Sequence, residues 1–337
     1  MSTKLVSHLK NVEYLTGFTG SSGFLIMGKK NYFFTDFRYQ EMAEKLAQSG
    51  KSRISFEFIL MDSNLGDSLK TVLGKTQSIE FESKHVTVNE LKRWKKLLKG
   101  RKLIPMKKSV EQQRWIKDKS EVKLLKKSQK INATVFKEIK KWIKPGMTEL
   151  DVAWQIKVLG HKYGAEDISF EPIVAFGPNS AIPHHHNSTR KLKKRDIVLI
   201  DMGMKYKGYC SDMTRTFFIG KPTEEQSKVY NMVLEAQLAG IAATKAGVKT
   251  STPDKAARKV MGDMAKHFGH SLGHGIGLDV HEYPGVSSRS KGTLKEGMIV
   301  TMEPGIYLPG KFGIRIEDMG QVTANGYENF TKVSKAI

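Results

Sequence analysis

The stretch IVLIDMGMKYKGYCSDMTRTFFI, residues 197–219, contains two strand-like runs on either side of a short polar turn. Its first run, Ile197 to Ile200, is the continuous apolar kind carried by strands buried on both faces. That run ends on a carboxylate, Asp201, and the second run opens on another, Asp212. A two-residue turn at Tyr206-Lys207 pairs residue 205 with 208, so outward stepping brings 201 opposite 212. Opposed residues share a sheet face, with Cβ atoms about 5 Å apart. A bulge at Gly208 would shift the pairing by one. In either register, two carboxylates converge at an apolar hairpin.

About a hundred residues later the pattern returns. Ile299-Val-Thr-Met-Glu303 ends on a carboxylate, and Ile314-Arg-Ile-Glu317 carries another; Pro304-Gly305 and Pro309-Gly310 supply turns between them. The chain before each hairpin repeats too. Asp118-Lys-Ser-Glu121 is a capping box opening a helix to about Ile143. Pro145-Gly146-Met147-Thr148 follows, then a helix over 149–162 and Tyr163-Gly164. In the second copy Thr223-Glu-Glu-Gln226 opens a helix to about Lys245. Ala246-Gly247-Val248-Lys249 follows, then a helix starting at Pro253 and Phe268-Gly269. The expected strands are Ile197–Gly203 with Cys210–Ile219, and Met298–Glu303 with Gly313–Gln321. The pairs Gly146/Gly247, Gly164/Gly269 and Asp201/Glu303 are 101, 105 and 102 residues apart. Residues 109–337 therefore read as two helix–helix–hairpin halves of one domain, whose site is expected where the halves meet.

Residues 1–108 read as a smaller α/β unit. Phe24–Met27 and Tyr32–Thr35 form a hairpin across Gly28-Lys29-Lys30-Asn31. A helix is expected over Asp36–Gln48, strands over Ile54–Leu60 and Ser78–Phe81, and a helix over Val88–Leu98 from Thr87. The linker falls near Pro105 to Ser109. The fold class is α+β.

With 337 residues, 39% hydrophobic and 27% charged, the chain is long enough for one large and one small core. It has no apolar run of membrane-spanning length, residues 1–10 lack a signal-type apolar core, and its single cysteine, Cys210, can form no internal disulfide. These features point to the cytoplasm, with Cys210 as a small buried residue. The net charge of +22 raises nucleic acid as a partner. Dense basic runs lie at 92–108, 119–141 and 190–195. The stretch 117–141 has Leu124, Ile131, Val135 and Ile139 at helical spacing, so its lysines read as a solvated helix face and nucleic acid is not expected.

Four carboxylates meeting between two hairpins cannot stand alone. One like-charge pair at 4 Å costs about 4 kcal/mol at an effective dielectric of 20. Protons or cations must compensate, and two divalent ions balance four carboxylates. His274 adds one imidazole. An oxygen-rich set with a single imidazole suits Mn²⁺ best, with Co²⁺, Fe²⁺ and Zn²⁺ as alternatives. The loop carrying it, GHSLGHGIGLDVHEYP (269–284), also holds His270 and His281, and its glycines permit close backbone approach to a ligand. The corresponding place in the first half holds Asn179-Ser-Ala-Ile-Pro183-His184-His185-His186.

Together these residues resemble the pita-bread metallopeptidases, in their Xaa-Pro aminopeptidase and prolidase branch. NVEYLTGFTG (11–20) with TDFRY (35–39) is similar to the start of the creatinase-type N-terminal domain. HGIGLDVHEYP, MEPGIY and GIRIED are highly specific in combination. The resemblance implies that Asp201, Asp212, His274, Glu303 and Glu317 are the ligands of two metal ions, and that Glu303 is the general base. It implies that His184, after Pro183, contacts substrate and that His281 hydrogen-bonds the scissile group. It also implies that His270 and Arg315 lie in the substrate pocket. A further histidine at 185 and 186 departs from the family's usual small residue. The implied reaction is hydrolysis of the bond before proline, by a homodimer, on peptides with proline at the second position. An Xaa-Pro aminopeptidase is the first expectation and an Xaa-Pro dipeptidase the alternative. A non-catalytic protein- or RNA-binding relative is the reading of a different class.

Overall fold

Helices start where a side chain can take the unpaired N–H groups of a first turn. Reciprocal capping boxes do this at Thr87/Glu90, Asp118/Glu121, Thr148/Asp151 and Thr223/Gln226. The computed structural model describes residues 2–337 and divides into two units, one ending at Arg114 and one starting at Trp115.

The first unit is built on β1 (Thr3–Val6), β2 (Phe24–Met27), β3 (Asn31–Thr35), β4 (Glu57–Leu60), β5 (Ser78–Phe81) and β6 (Lys102–Pro105). These form one mixed sheet in the order β4-β3-β2-β1-β5-β6. Its helices are α1 (Leu9–Thr16), α2 (Gln40–Ser49), α3 (Leu65–Leu73), α4 (Val88–Leu97) and the short α5 (Glu111–Arg114). Leu5, Phe24, Ile26, Phe34, Leu69, Ile79 and Trp94 fill the core. Five elements were not anticipated from sequence: β1, α1, α3, β6 and α5. Helices α1 and α3 make no side-chain N-cap bond, and no capping box marks their starts. The helix expected from Asp36 begins instead with a 3₁₀ turn at Phe37–Tyr39, and α2 starts at Gln40.

The second unit shows the duplication. Its first half carries α6 (Lys119–Trp142), α7 (Glu149–Lys162), β7 (Asp167–Ile168), β8 (Ile173–Phe176), β9 (Ile197–Met202), β10 (Met204–Tyr206), β11 (Tyr209–Cys210) and β12 (Met213–Phe218). The second half carries α8 (Glu224–Ala242), α9 (Thr252–Met261), β13 (Gly273–Gly275), β14 (Glu282–Val286), β15 (Ile299–Met302), β16 (Gly305–Leu308), β17 (Phe312–Arg315), β18 (Asp318–Val322) and β19 (Tyr327–Asn329). One half orders its strands β8-β9-β12; the other repeats this as β13-β15-β18, flanked by β14 and β19. Matching hydrogen bonds recur: Gly146 N donates to Leu192 O at 2.8 Å, and Gly247 N to Leu294 O at 2.9 Å. Both glycines sit at positive φ, +96° and +88°, where a Cβ would strain the backbone. A buried amide on the first helix of each half clamps the central strand's end. Asn132 Nδ2 donates to Met202 O and Gln237 Nε2 to Met302 O.

Two expectations are corrected. The hairpin turn is Lys207-Gly208, not Tyr206-Lys207, because Tyr206 pairs with Tyr209. Both turn residues have positive φ, +48° and +79°, as a primed two-residue turn demands, and Gly208 adopts that conformation freely. Asp201 consequently faces Thr214 rather than Asp212. On α6 the apolar face holds Leu125, with Ile131, Val135, Phe136 and Ile139, while Leu124 is only half-buried. The lysines at 119, 123, 126, 127, 130, 137, 140 and 141 are all exposed, which makes them the solvated face. Among the described residues no helix is long and apolar enough to cross a membrane.

Candidate metal centre and active site

The strand ladders break where the acidic residues stand. Asp212 lies between β11 and β12, and Glu317 between β17 and β18. Gly203 interrupts the opposing strand of the first hairpin, and Glu303-Pro304 that of the second. Each break releases side chains from the strict alternation of a strand. Four carboxylates from two hairpins then line one cavity of about 590 Å³, with His184, His270, His274, His281 and Arg315 in the same wall.

His274 comes from β13, beside β15. Its Nδ1 lies 3.1 Å from Gly275 O, which can only accept, so Nδ1 carries the proton. The other nitrogen, Nε2, lies 3.6 Å from Asp212 Oδ2 and 3.4 Å from Glu303 Oε1. Burial holds the imidazole at a pKa of about 4, so it is neutral at pH 7 and its lone pair is available. Asp212, His274 and Glu317 offer ligand atoms that all lie within 4.8 Å of one another.

The carboxylates are in electrostatic conflict. Asp212 and Glu303 are pushed well above the usual carboxylate range, by burial first and by the neighbouring acids after it. Glu317 is raised to about 8 by burial and by Asp201. Glu317 Oε2 accepts from Thr214 Oγ1 at 2.8 Å, and Asp201 Oδ2 accepts from Arg315 Nη2 at 2.7 Å. Yet Asp201 Oδ1, Asp212 Oδ1 and Glu317 Oε1 are buried with no hydrogen-bond partner among the described residues. A buried carboxylate oxygen without a partner costs several kcal/mol. Three of them beside a neutral imidazole lone pair fit a site for divalent cations, which supply the missing charge and bonds.

Arg315 is buried and holds its surroundings together. It donates through Nε to Thr214 Oγ1, through Nη1 to Tyr307 Oη and Pro183 O, and through Nη2 to Asp201. Tyr307 Oη accepts from Arg315 and so donates to His270 Nε2 at 2.9 Å, while His270 Nδ1 donates to Ser271 O. Burial, assisted by the Arg315 charge, depresses His270 to about 4. The His184–His186 triplet divides by contact. His185 Nε2 bonds Glu149 Oε2 at 2.8 Å, and the same buried carboxylate takes Phe176 N, Asn179 Nδ2 and Ser188. His184 and His186 are exposed in the cavity wall. His281 is also exposed, its ring edge-on to His274 at 4.4 Å, and burial lowers its pKa. Tyr307, Thr214 and Glu149 were not singled out from sequence. Tyr307 stands inside the MEPGIY run, but its link to Arg315 needs the β16–β17 pairing.

Residues 123–324 match metallopeptidase family M24, and residues 1–116 match the creatinase/prolidase N-terminal domain. The chain belongs to metallopeptidase family M24. It is a hydrolase of the family's prolidase and aminopeptidase P branch. The Xaa-Pro dipeptidase of Pyrococcus horikoshii is 34% identical over 339 residues, 99% of this chain and 93% of that protein. The solved structure of an Xaa-Pro dipeptidase from Bacillus anthracis superposes with a TM-score of 0.94 at 37% identity, covering 100% of this chain and 94% of that one. An X-Pro aminopeptidase from Thermotoga maritima gives a TM-score of 0.91 at 34% identity, covering 100% and 97%. This M24 chain thus has the pita-bread domain and the creatinase-type N-terminal domain that its motifs led one to expect.

Proposed function

We propose that this M24 chain is an Xaa-Pro dipeptidase, releasing proline from dipeptides with proline in the second position. The observation that carries the hydrolytic centre is the set of three buried, unpartnered carboxylate oxygens around the His274 lone pair. The first expectation, an aminopeptidase, gives way to the alternative because the named relatives include Xaa-Pro dipeptidases of two organisms, similar along almost the whole chain. The aminopeptidase reading keeps the support of the Thermotoga structure.

Asp201, Asp212, His274, Glu303 and Glu317 would hold two divalent ions, with Mn²⁺ the metal that the donor set favours. Such ions, when bound, acidify a water and polarise the scissile carbonyl. The rest is the work of side chains. Glu303 takes the proton of the attacking water and returns it to the departing proline nitrogen. His184 and His281 donate N–H bonds to the carbonyl oxygen and to the departing proline nitrogen. Arg315 acts as a positioning residue: it fixes Asp201, and through Pro183 O it holds the segment that presents His184. The Tyr307–His270 pair closes the wall beside Glu303, with His270 Nδ1 4.0 Å from Glu303 Oε2.

The test is a matched set of Leu-Pro, Leu-Pro-amide and Leu-Pro-Gly, assayed with Mn²⁺. A dipeptidase cleaves Leu-Pro at least about tenfold faster in kcat/KM than either substrate lacking the prolyl carboxylate, a difference of about 1.4 kcal/mol. Equal or faster cleavage of Leu-Pro-Gly returns the chain to the aminopeptidases, and failure on all three refutes both.

A further inference from the structure

The first unit contains a second cluster of metal-ligating side chains, formed entirely within it. His8 precedes α1, His85 stands in the turn after β5, and Glu111 opens α5. The His8 and His85 rings stack with centroids 3.7 Å apart and planes 11° from parallel. His85 Nε2 makes a short hydrogen bond to Glu111 Oε1. One ligand atom from each of the three residues lies within 4.8 Å of the other two. We propose that His8, His85 and Glu111 bind one divalent ion of the zinc type within the N-terminal unit.

The donors fit such an ion in kind and number. Two imidazole nitrogens and one carboxylate oxygen make a three-ligand zinc set that leaves one position for water. Solvent reaches it, since the His85 and Glu111 side chains are 29% and 22% exposed. Glu111 Oε2 is buried with no hydrogen-bond partner among the described residues, so a lone pair is available once Oε1 is engaged. Zinc bonds of about 2.0–2.1 Å place ligand atoms about 3.3 Å apart, so closing the site needs side-chain movements of about an ångström.

The backbone behind the three ligands is fixed. Glu82, buried, accepts from Ser7 N and His8 N at 2.8 Å through Oε2 and from Asn11 Nδ2 at 2.6 Å through Oε1. Its main-chain carbonyl accepts from His85 N at 3.0 Å. The same Asn11 Nδ2 donates to Glu111 Oε1 at 2.8 Å, and Arg114 Nη1 donates to Asn11 Oδ1. One buried Glu–Asn pair therefore positions the segments carrying all three ligands, as outer-shell groups do around built metal sites. An ion there clips together segments distant in sequence and lowers the freedom of the unfolded chain.

The full-length chain, stripped with a chelator, is dialysed against zinc alone at about 10 μM free ion, and bound metal is counted per chain. His85→Asn and Glu111→Gln should each hold one zinc fewer than the unaltered chain and keep its kcat on Leu-Pro. Equal zinc content in all three overturns the proposal. Should the variants misfold, the ¹⁵N imidazole resonances of the unaltered chain decide. Zinc should shift those of both His8 and His85; unshifted resonances refute the site.

Discussion

Glu317 is kept largely protonated by its surroundings in the metal-free protein, since burial and Asp201 lift its carboxyl to about 8. A carboxyl raised on folding adds stability that is complete below the unfolded value near 4.5 and disappears as pH climbs through the folded value. The chelated protein should therefore lose thermal stability between about pH 4.5 and 8. Glu317→Gln removes the ionisation and preserves the shape. At pH 8 the chelated variant should melt several degrees above the chelated parent, while its manganese-supported hydrolysis falls by at least about 100-fold. Calorimetry with and without EDTA, beside a Leu-Pro assay, reads both signs; a chelated variant that melts lower at pH 8 contradicts the account. At this scale the sequence was informative wherever a residue's own type carries the chemistry. All of Asp201, Asp212, His274, Glu303 and Glu317 reach one cavity. The His184–His186 triplet could not be divided by sequence, because what removes His185 is its bond to Glu149, 36 residues away.

The first hairpin places Asp201 and Asp212 through a turn that tolerates little change. Gly208 has φ +79°, where a side chain costs about 1–2 kcal/mol. Gly208→Ala should lower the melting temperature by about 2–8 °C, while Lys207→Asn, suited to its φ of +48°, should raise it slightly. A thermal melt in which Gly208→Ala matches the parent would show that the turn does not constrain the hairpin. The turn also shows where sequence reading of elements weakens. Apolar runs and capping boxes marked α6, α7, α8, β9 and β15 well, since their signals are local. The pairing offset of β9 with β12 depends on which two residues turn the chain, and Tyr206-Lys207 and Lys207-Gly208 differ by a single step in sequence but by two in partner. The ladder breaks at Asp212 and Glu317 carry no local signal at all, because strand-like sequence runs through them.

Over the whole molecule, the net charge of +22 spreads across exposed lysines, many on α6. Such a surface draws anionic substrates toward the protein at low salt. The kcat/KM for Glu-Pro should drop several-fold as ionic strength rises from about 0.02 to 0.2 M, with Leu-Pro nearly unaffected. Stopped assays across a salt series check this; parallel curves for the two substrates would exclude steering. Joining two alike halves in one polypeptide has a different consequence. Each half presents only two of the four carboxylates, so ion capture requires both to be face to face. In separate chains that encounter would fade on dilution. The covalent link holds one half at a high effective concentration near the other, so the centre can form equally well however scarce the protein is. The link also relieves the halves of self-complementarity, so one can carry aspartates and the other the longer glutamates at corresponding places.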